Sequence, residues 1–216
     1  MVKGDHDTAK QYLAKAVAQM QDEVGKHPHR EHILDLRYHL GSDSEFIVEF
    51  LRSLHAPRSK AEMFTARFRA GIERYRASAP GTLGCPVAVL VNRRSGDTAG
   101  IVVAAMRKMC HSTLVIGEKT VGRGILFQTL YGRGLAVSFP VRELFSRNGK
   151  HLRRIEGRVV RPDIRVRDRM KLLGPLSKPG GAALLPPGTD LWKYVKDPIL
   201  DVALRLSKKR LKRVGG

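Results

Sequence analysis

Acidic residues are scarce in this sequence: twenty Asp and Glu stand against forty Lys and Arg, a formal net charge of +20 over 216 residues. That excess favours association with polyanions such as nucleic acid, anionic membrane or acidic protein, and says nothing of the fold. Cysteine is scarcer still. Cys85 and Cys110 are the only two, too few for a disulfide scaffold, and both lie in apolar runs, so buried free thiols are the expectation. Aromatic residues are only 6 % and none interleaves with the basic tail "KKRLKR", which leaves base stacking little to work with. Nonspecific phosphate binding at low salt is then the extent of the nucleic-acid reading. No apolar run reaches ~18 residues, which argues against a membrane-spanning helix. The opening "MVKGDHDTAK" lacks the apolar core of a signal peptide, so a cytoplasmic location is expected for the chain as it stands. The histidines of "HPHREH" (His27, His29, His32) have no acidic or cysteine partner at ligand spacing, and no metal is expected. "GEKTVGRG" lacks the closing G-K-[ST] of a phosphate loop and runs into a strand-like segment, so no nucleotide cofactor is expected either.

Apolar residues make up 42 %, enough for a substantial core. Residues 8–24 carry Leu13, Val17, Met20 and Val24 at helical spacing, with Gly25 as a stop. A short strand follows in "HILDLRYHL", then a helix in "GSDSEFIVEFLRSL" with Ser42 or Asp43 as N-cap. Residues 57–79 are basic, and Phe64, Phe68 and Ile72 recur every four positions, which predicts a helix. "PVAVLVN" reads as a strand covered on both faces and "STLVIG" as another. Between them, "SGDTAGIVVAAM" passes from turn to helix at Thr98. "ILFQTLYGRGLAVSFPV" has the pattern of a hairpin about Gly132-Arg133-Gly134, "LSKPGGAALLPPG" that of a connector, and "DPILDVALRLSKKRLKR" that of a terminal helix. Strands alternating with helices predict a layered α/β fold with a largely parallel sheet. The division expected is an N-terminal helix and linker (1–29), a core (30–168), and a connector with a basic C-terminal helix (169–216).

Three stretches share one order: "ILDLRYHLGSDSEF", "VAVLVNRRSGDTAGIVVAAM" and "LVIGEKTVGRGILFQ". With the later "IEGRVVRPDIRV" and "KDPILDVAL", they resemble the tail-specific proteases, or C-terminal processing peptidases, over roughly residues 30–206. The corresponding family patterns are D-L-R-x-N-x-G-G, S-A-S-x-E, G-E-x-T-x-G-K-G and E-G-x-G-V-x-P-D-I. The resemblance implies a ClpP/crotonase-like core, serine-type endopeptidase descent, a polypeptide substrate or ligand, and no cofactor. Family members are often exported, and the PDZ module common among them has no counterpart here.

The family chemistry implied is that of a serine attacking a peptide carbonyl while a buried neutral lysine takes its proton. An ungapped placement puts Thr98 in the nucleophile's position and Arg123 in the base's. Threonine can serve as a nucleophile, but an arginine stays protonated in any protein environment and offers no base. Lys119 is the substitute nearest in sequence, His111 lies too far along the helix, and Gln128 stands one position from the glutamine that orients the base in some members. In the oxyanion loop, where the family has N-G-G, this sequence has His39-Leu40-Gly41-Ser42; Gly41 and Ser42 could still present N–H groups, although a Cβ at Leu40 restricts the positive φ that glycine permits, and Asp97 adds a negative charge beside Thr98. The reading is a peptidase-family domain of weak or absent activity, a pseudoenzyme by drift. The alternatives are a non-catalytic peptide- or carboxylate-binding module, with Arg123 as the fork, and a basic nucleic-acid-associated protein.

Overall fold

The computed structural model describes residues 4–26, 32–39, 44–54, 62–76, 83–96, 98–132, 134–148, 151–178, 185–186 and 189–214. Helix α1 (Gly4–Lys26) is followed by strand β1 (Ile33–Asp35) and helix α2 (Ser44–Ser53). Then come β2 (Glu62–Phe68), β3 (Gly71–Arg76), β4 (Ala88–Val91), helix α3 (Thr98–Met109) and β5 (Leu114–Gly117). The chain continues through β6 (Ile125–Gly132), β7 (Leu135–Asn148), β8 (His151–Arg154), β9 (Ile164–Arg165), β10 (Lys171–Leu172) and β11 (Val195–Lys196) to α4 (Pro198–Val214). The Ser42 and Asp43 caps expected for α2 lie outside the described residues.

Two sheets organise these elements. A four-stranded sheet in the order β1-β4-β5-β9 is parallel throughout, as the α/β pattern predicts. The second, in the order β3-β2-β7-β6 with β8 added to β7, is antiparallel, and only its β6–β7 hairpin was read from the sequence. The continuous apolar run of β4 is explained by its two burdens. Val89 and Val91 pack with α3, α2 and β2 in one cluster, while Ala88 and Leu90 join Ile116, Ile199 and Ala203 beneath α4. The order of layers is therefore α4, parallel sheet, α2 with α3, antiparallel sheet. Helix α3 lies in the middle and is apolar on almost every side, with Ile101, Val103, Ala105 and Met106 at most 1 % exposed.

Two expectations are corrected. Residues 62–76 form the β2–β3 hairpin and not a helix. A spacing of four is common to both periods, since i and i+4 share a face of a strand as they do of a helix. Phe64 is buried, but Ile72, 58 % exposed, is across the Arg69–Ala70 turn. The cysteines are not free thiols. Cys85, just before β4, and Cys110, just after α3, are joined as a disulfide with Cα atoms 5.6 Å apart. Their apolar surroundings hid this, because the pairing follows from α3 folding back along the strand it follows.

Candidate functional site at the start of the central helix

The site is built on the loops that leave the C-terminal ends of β1, β4 and β5. Beyond β4, residues 92–96 form a turn held almost wholly by its own polar groups. The Ser95 hydroxyl donates to the Leu36 carbonyl (2.8 Å) and accepts from the Asn92 N–H (2.9 Å), and both side chains are buried. Asn92 Oδ1 accepts from the N–H groups of Arg94 (3.0 Å) and Tyr38 (3.1 Å). The Gly96 N–H donates to the His39 carbonyl at 2.9 Å. The turn before α3 and the loop after β1 are thereby fastened to each other.

Tyr38 is the one non-glycine residue among those described with positive φ, at 59°. A tyrosine in this region costs of order 1–3 kcal/mol and persists only where its surroundings impose it. Here its N–H is held by Asn92, its hydroxyl donates to Asp168 (2.8 Å), and the Arg94 guanidinium lies 5.9 Å from its ring. The left-handed residue aims the next one. His39 places Nε2 2.9 Å from Thr98 Oγ1. Thr98 is the first residue of α3, fully buried, at the positive end of the helix dipole. The sequence reading weighed Lys119 and His111 as bases and missed His39. The signal is in "DLRYHL", where His39 stands at the asparagine position of the D-L-R-x-N-x-G-G pattern.

Below the loop, Arg37 anchors the site to α4. Its guanidinium donates to both Asp35 oxygens and, at 2.8 Å, to Asp197. Asp197 in turn caps α4 by accepting from the N–H groups of Ile199 and Leu200 (both 3.1 Å). Burial opposes the Arg37 charge, yet the bonds to Asp35 and Asp197 raise its affinity for the proton well above the ordinary arginine value. Asp168 Oδ2 accepts from Asn92 Nδ2 (2.7 Å) as well as from Tyr38. Burial would raise its pKa, but the Asn92 and Tyr38 bonds hold it below the usual carboxylate value.

The glycine-rich loop crosses the same helix end. The Val121 N–H donates to the Ser95 carbonyl (2.9 Å), and the Arg123 carbonyl is 4.0 Å from where a Cβ on Gly100 would stand. Gly122, at φ +80°, approaches the Arg158–Val159 peptide so closely that a Cβ would come within 2.8 Å of the Arg158 carbonyl carbon. The Arg123 side chain is exposed and makes no hydrogen bond or ion pair among the described residues. Lys119 is exposed in the same loop, Gln128 is exposed on β6 opposite Phe139, and His111 is exposed beyond the far end of α3. Leu40, Gly41, Ser42 and Asp97 lie outside the described residues. The Ala99 N–H, adjacent to Thr98, is taken by the Gly96 carbonyl (2.9 Å).

A buried hydroxyl at a strand-to-helix turn, with an imidazole on it and a glycine loop across it, thus stands at the C-terminal edge of the parallel sheet of a layered α/β domain. The chain belongs to peptidase family S41, whose model matches residues 5–166. Among solved structures it is similar to the photosystem II D1 C-terminal processing protease, at 20 % identity and a TM-score of 0.55, over 83 % of this chain and 44 % of that one. It is also similar to a protein described as an S41 protease from Bacteroides fragilis (15 % identity, TM-score 0.56, 83 % and 45 % covered). A lipoprotein from Streptococcus agalactiae is a further neighbour (14 % identity, TM-score 0.53, 73 % and 57 % covered). At these identities the likeness is one of fold, and the chain spans about half the length of these proteins. No curated protein matches it in sequence.

Proposed function

We propose that the chain hydrolyses polypeptide with Thr98 as nucleophile and His39 as general base. The observation that carries this reading is the 2.9 Å contact between His39 Nε2 and Thr98 Oγ1 at the start of α3. Imidazole is the side chain that gains and loses a proton near neutral pH, the property an arginine lacks. Thr98 Oγ1 attacks the carbonyl carbon as its proton passes to Nε2. The tetrahedral intermediate collapses as Nε2–H protonates the departing amine and the C–N bond breaks. Water, deprotonated by the same nitrogen, then releases the acyl group. Arg123 moves no proton in this scheme, consistent with its exposed side chain.

Turnover is expected to be slow. Thr98 has no exposed surface, and the adjacent Ala99 N–H is already bonded, which withholds an oxyanion donor of the kind worth about 10²–10³ in rate. These two observations favour a second reading, a non-catalytic peptide- or carboxylate-binding domain in which His39 merely ties down the helix start. A hydroxyl-directed β-lactone, followed by intact-mass and peptide mapping, separates the two. The peptidase reading expects acylation of Thr98 that disappears in Thr98→Val and His39→Ala and persists in Arg123→Lys. Absence of acylation in the unmodified chain supports the binding reading, and labelling that survives His39→Ala removes the imidazole from the mechanism.

A further inference from the structure

Beyond the C-terminal ends of β4, β5 and β9 lies an open recess of about 470 Å³ lined by Arg93, Glu118, Arg167, Asp168 and Arg169. Crevices outside the carboxyl ends of parallel strands are where such sheets take their ligands. We infer that this recess binds carboxylates, and that the polypeptide engaged by the chain carries an acidic stretch close to the reacting bond. That the stretch is a substrate rests on the peptidase reading above.

The charges in the recess are unequal in number and in occupation. Three guanidiniums face two carboxylates, and both carboxylates are engaged. Glu118 lies 3.2 Å from Arg93 Nε, and Asp168 accepts from Asn92 and Tyr38. Arg167 and Arg169 form no ion pair among the described residues, and both are exposed. Their arrangement follows from the backbone. From β9 onward Ile164, Val166 and Asp168 turn inward while Arg165, Arg167 and Arg169 turn out. Alternate residues of an extended chain are ~6.6 Å apart, so Arg165, Arg167 and Arg169 form a row, the last two of them in the recess wall, that matches alternate side chains of a second extended chain beside it. Each guanidinium can hold a carboxylate through two parallel hydrogen bonds. β9 is the edge strand of its sheet, and among the described residues no further strand pairs with its outer side.

The recess and the reacting hydroxyl share one support. Arg93 is five residues before Thr98 in the turn that follows β4, and five residues span at most ~18 Å even when extended. Asp168, in the recess wall, bonds to the tyrosine that precedes His39. An acidic stretch held by Arg167 and Arg169, in the recess that Arg93 also lines, thus lies close in sequence to a bond presented to Thr98.

The test is binding by the full chain carrying Thr98→Val, read as fluorescence anisotropy at low salt. The probes are a labelled alternating-glutamate peptide with an amidated C-terminus, its glutamine counterpart with a free C-terminus, and a single-stranded oligonucleotide of equal length. We expect the glutamate peptide to bind at least about tenfold more tightly than the glutamine one, and Arg167→Gln/Arg169→Gln to remove that preference. Arg74→Gln/Arg76→Gln, the same loss of charge on β3, should change affinity by no more than about twofold. Equal losses in the two double variants would show only the response of a +20 protein to any polyanion, and would overturn the inference. So would equal binding of the glutamine peptide, which would assign the recess to a chain end, or tighter binding of the oligonucleotide through the same arginines. Because this readout requires no turnover, it stands apart from β-lactone labelling. Acidic-peptide binding without acylation of Thr98 removes the peptidase reading and leaves the recess.

Discussion

Strand β4 is four residues long and buried at every one, whereas β7 runs for fourteen and, among its described side chains, buries only Leu144. The difference runs through the two sheets. The parallel sheet lies between α4 and the α2–α3 layer, and its strand ends are pinned by buried polar groups: Asn92, Ser95, Arg37 and Asp197. The antiparallel sheet gives one face to α3 and leaves the β6–β7 hairpin in solvent, with Phe127, Leu130 and Val137 each at least half exposed. The geometry that the peptidase reading proposes needs atoms fixed to within about 0.5 Å, which a strand end buried on both sides can supply and a solvated hairpin cannot. The Thr98–His39 contact accordingly sits on the parallel side.

The sharpest way to break this contrast is with glycines. A Cβ on Gly117, where φ is +129°, would stand 1.9 Å from the Val91 carbonyl oxygen, inside the β4–β5 ladder. Gly117→Ala must separate two central strands, and the expected loss exceeds ~4 kcal/mol, seen as failure to yield soluble folded protein. Gly132, at the end of β6, has nothing within 4 Å of its Cβ position, so Gly132→Ala should stay within about 0.5 kcal/mol in urea unfolding. Comparable losses at the two positions would end the comparison.

Ion pairs give the next largest difference. Arg37→Ala leaves Asp197, only 3 % exposed, without its guanidinium, and should cost about 3–5 kcal/mol. It should also abolish labelling of Thr98, because His39 follows two residues later on the loop that Arg37 fixes. Arg154 pairs with Glu143 on the outer sheet but is 58 % exposed, and Arg154→Ala should cost about 0–1 kcal/mol. Denaturant unfolding of the two variants side by side measures both.

The same contrast explains what the sequence disclosed. β4, β5 and α3 were legible because burial on all sides leaves unbroken apolar runs, and the order of motifs places Thr98 at the helix start, where the structure has it. The β2–β3 hairpin was not legible, because its phenylalanines recur at a spacing that fits either period. His39 was missed for another reason. It is 59 residues from Thr98, and what joins them is a bond network through Asn92, Ser95 and a left-handed tyrosine, none of which has a periodic signature. The disulfide escaped for the same reason, since pairing of Cys85 with Cys110 depends on the return of α3 and not on local pattern.

That disulfide supplies a prediction of intermediate size. It closes a loop of 25 residues containing β4, the turn and the whole of α3, and chain entropy assigns such a loop about 3 kcal/mol. Thermal unfolding with and without reductant should show a single transition shifted down, and Cys85→Ser/Cys110→Ser should unfold at the reduced temperature whether or not reductant is present. A double variant as stable as the oxidised parent would mean that the link constrains nothing packing does not already hold.

The smallest effect tests the polar bracing itself, through pH. Asp168 is held below its ordinary value of 3.8, because the bonds from Asn92 and Tyr38 outweigh its partial burial. A carboxylate with a depressed pKa in the folded state contributes stability above its unfolded value and loses that contribution as pH falls through the folded one. Asp168→Asn keeps the size of the side chain but removes the charge, so at neutral pH it should be less stable by about 1 kcal/mol. As the solution is taken below pH ~4, the parent protonates Asp168 and gives up the same stabilisation, so the two unfolding curves should converge. Glu143 is also lowered, its partial burial outweighed by the bonds from Arg154 and Arg67, but both of those arginines are 58 % exposed, so Glu143→Gln should show a smaller difference. A gap between parent and Asp168→Asn that stays constant from neutral pH into acid would show that Tyr38 is held by packing alone, and that the brace behind His39 is not electrostatic.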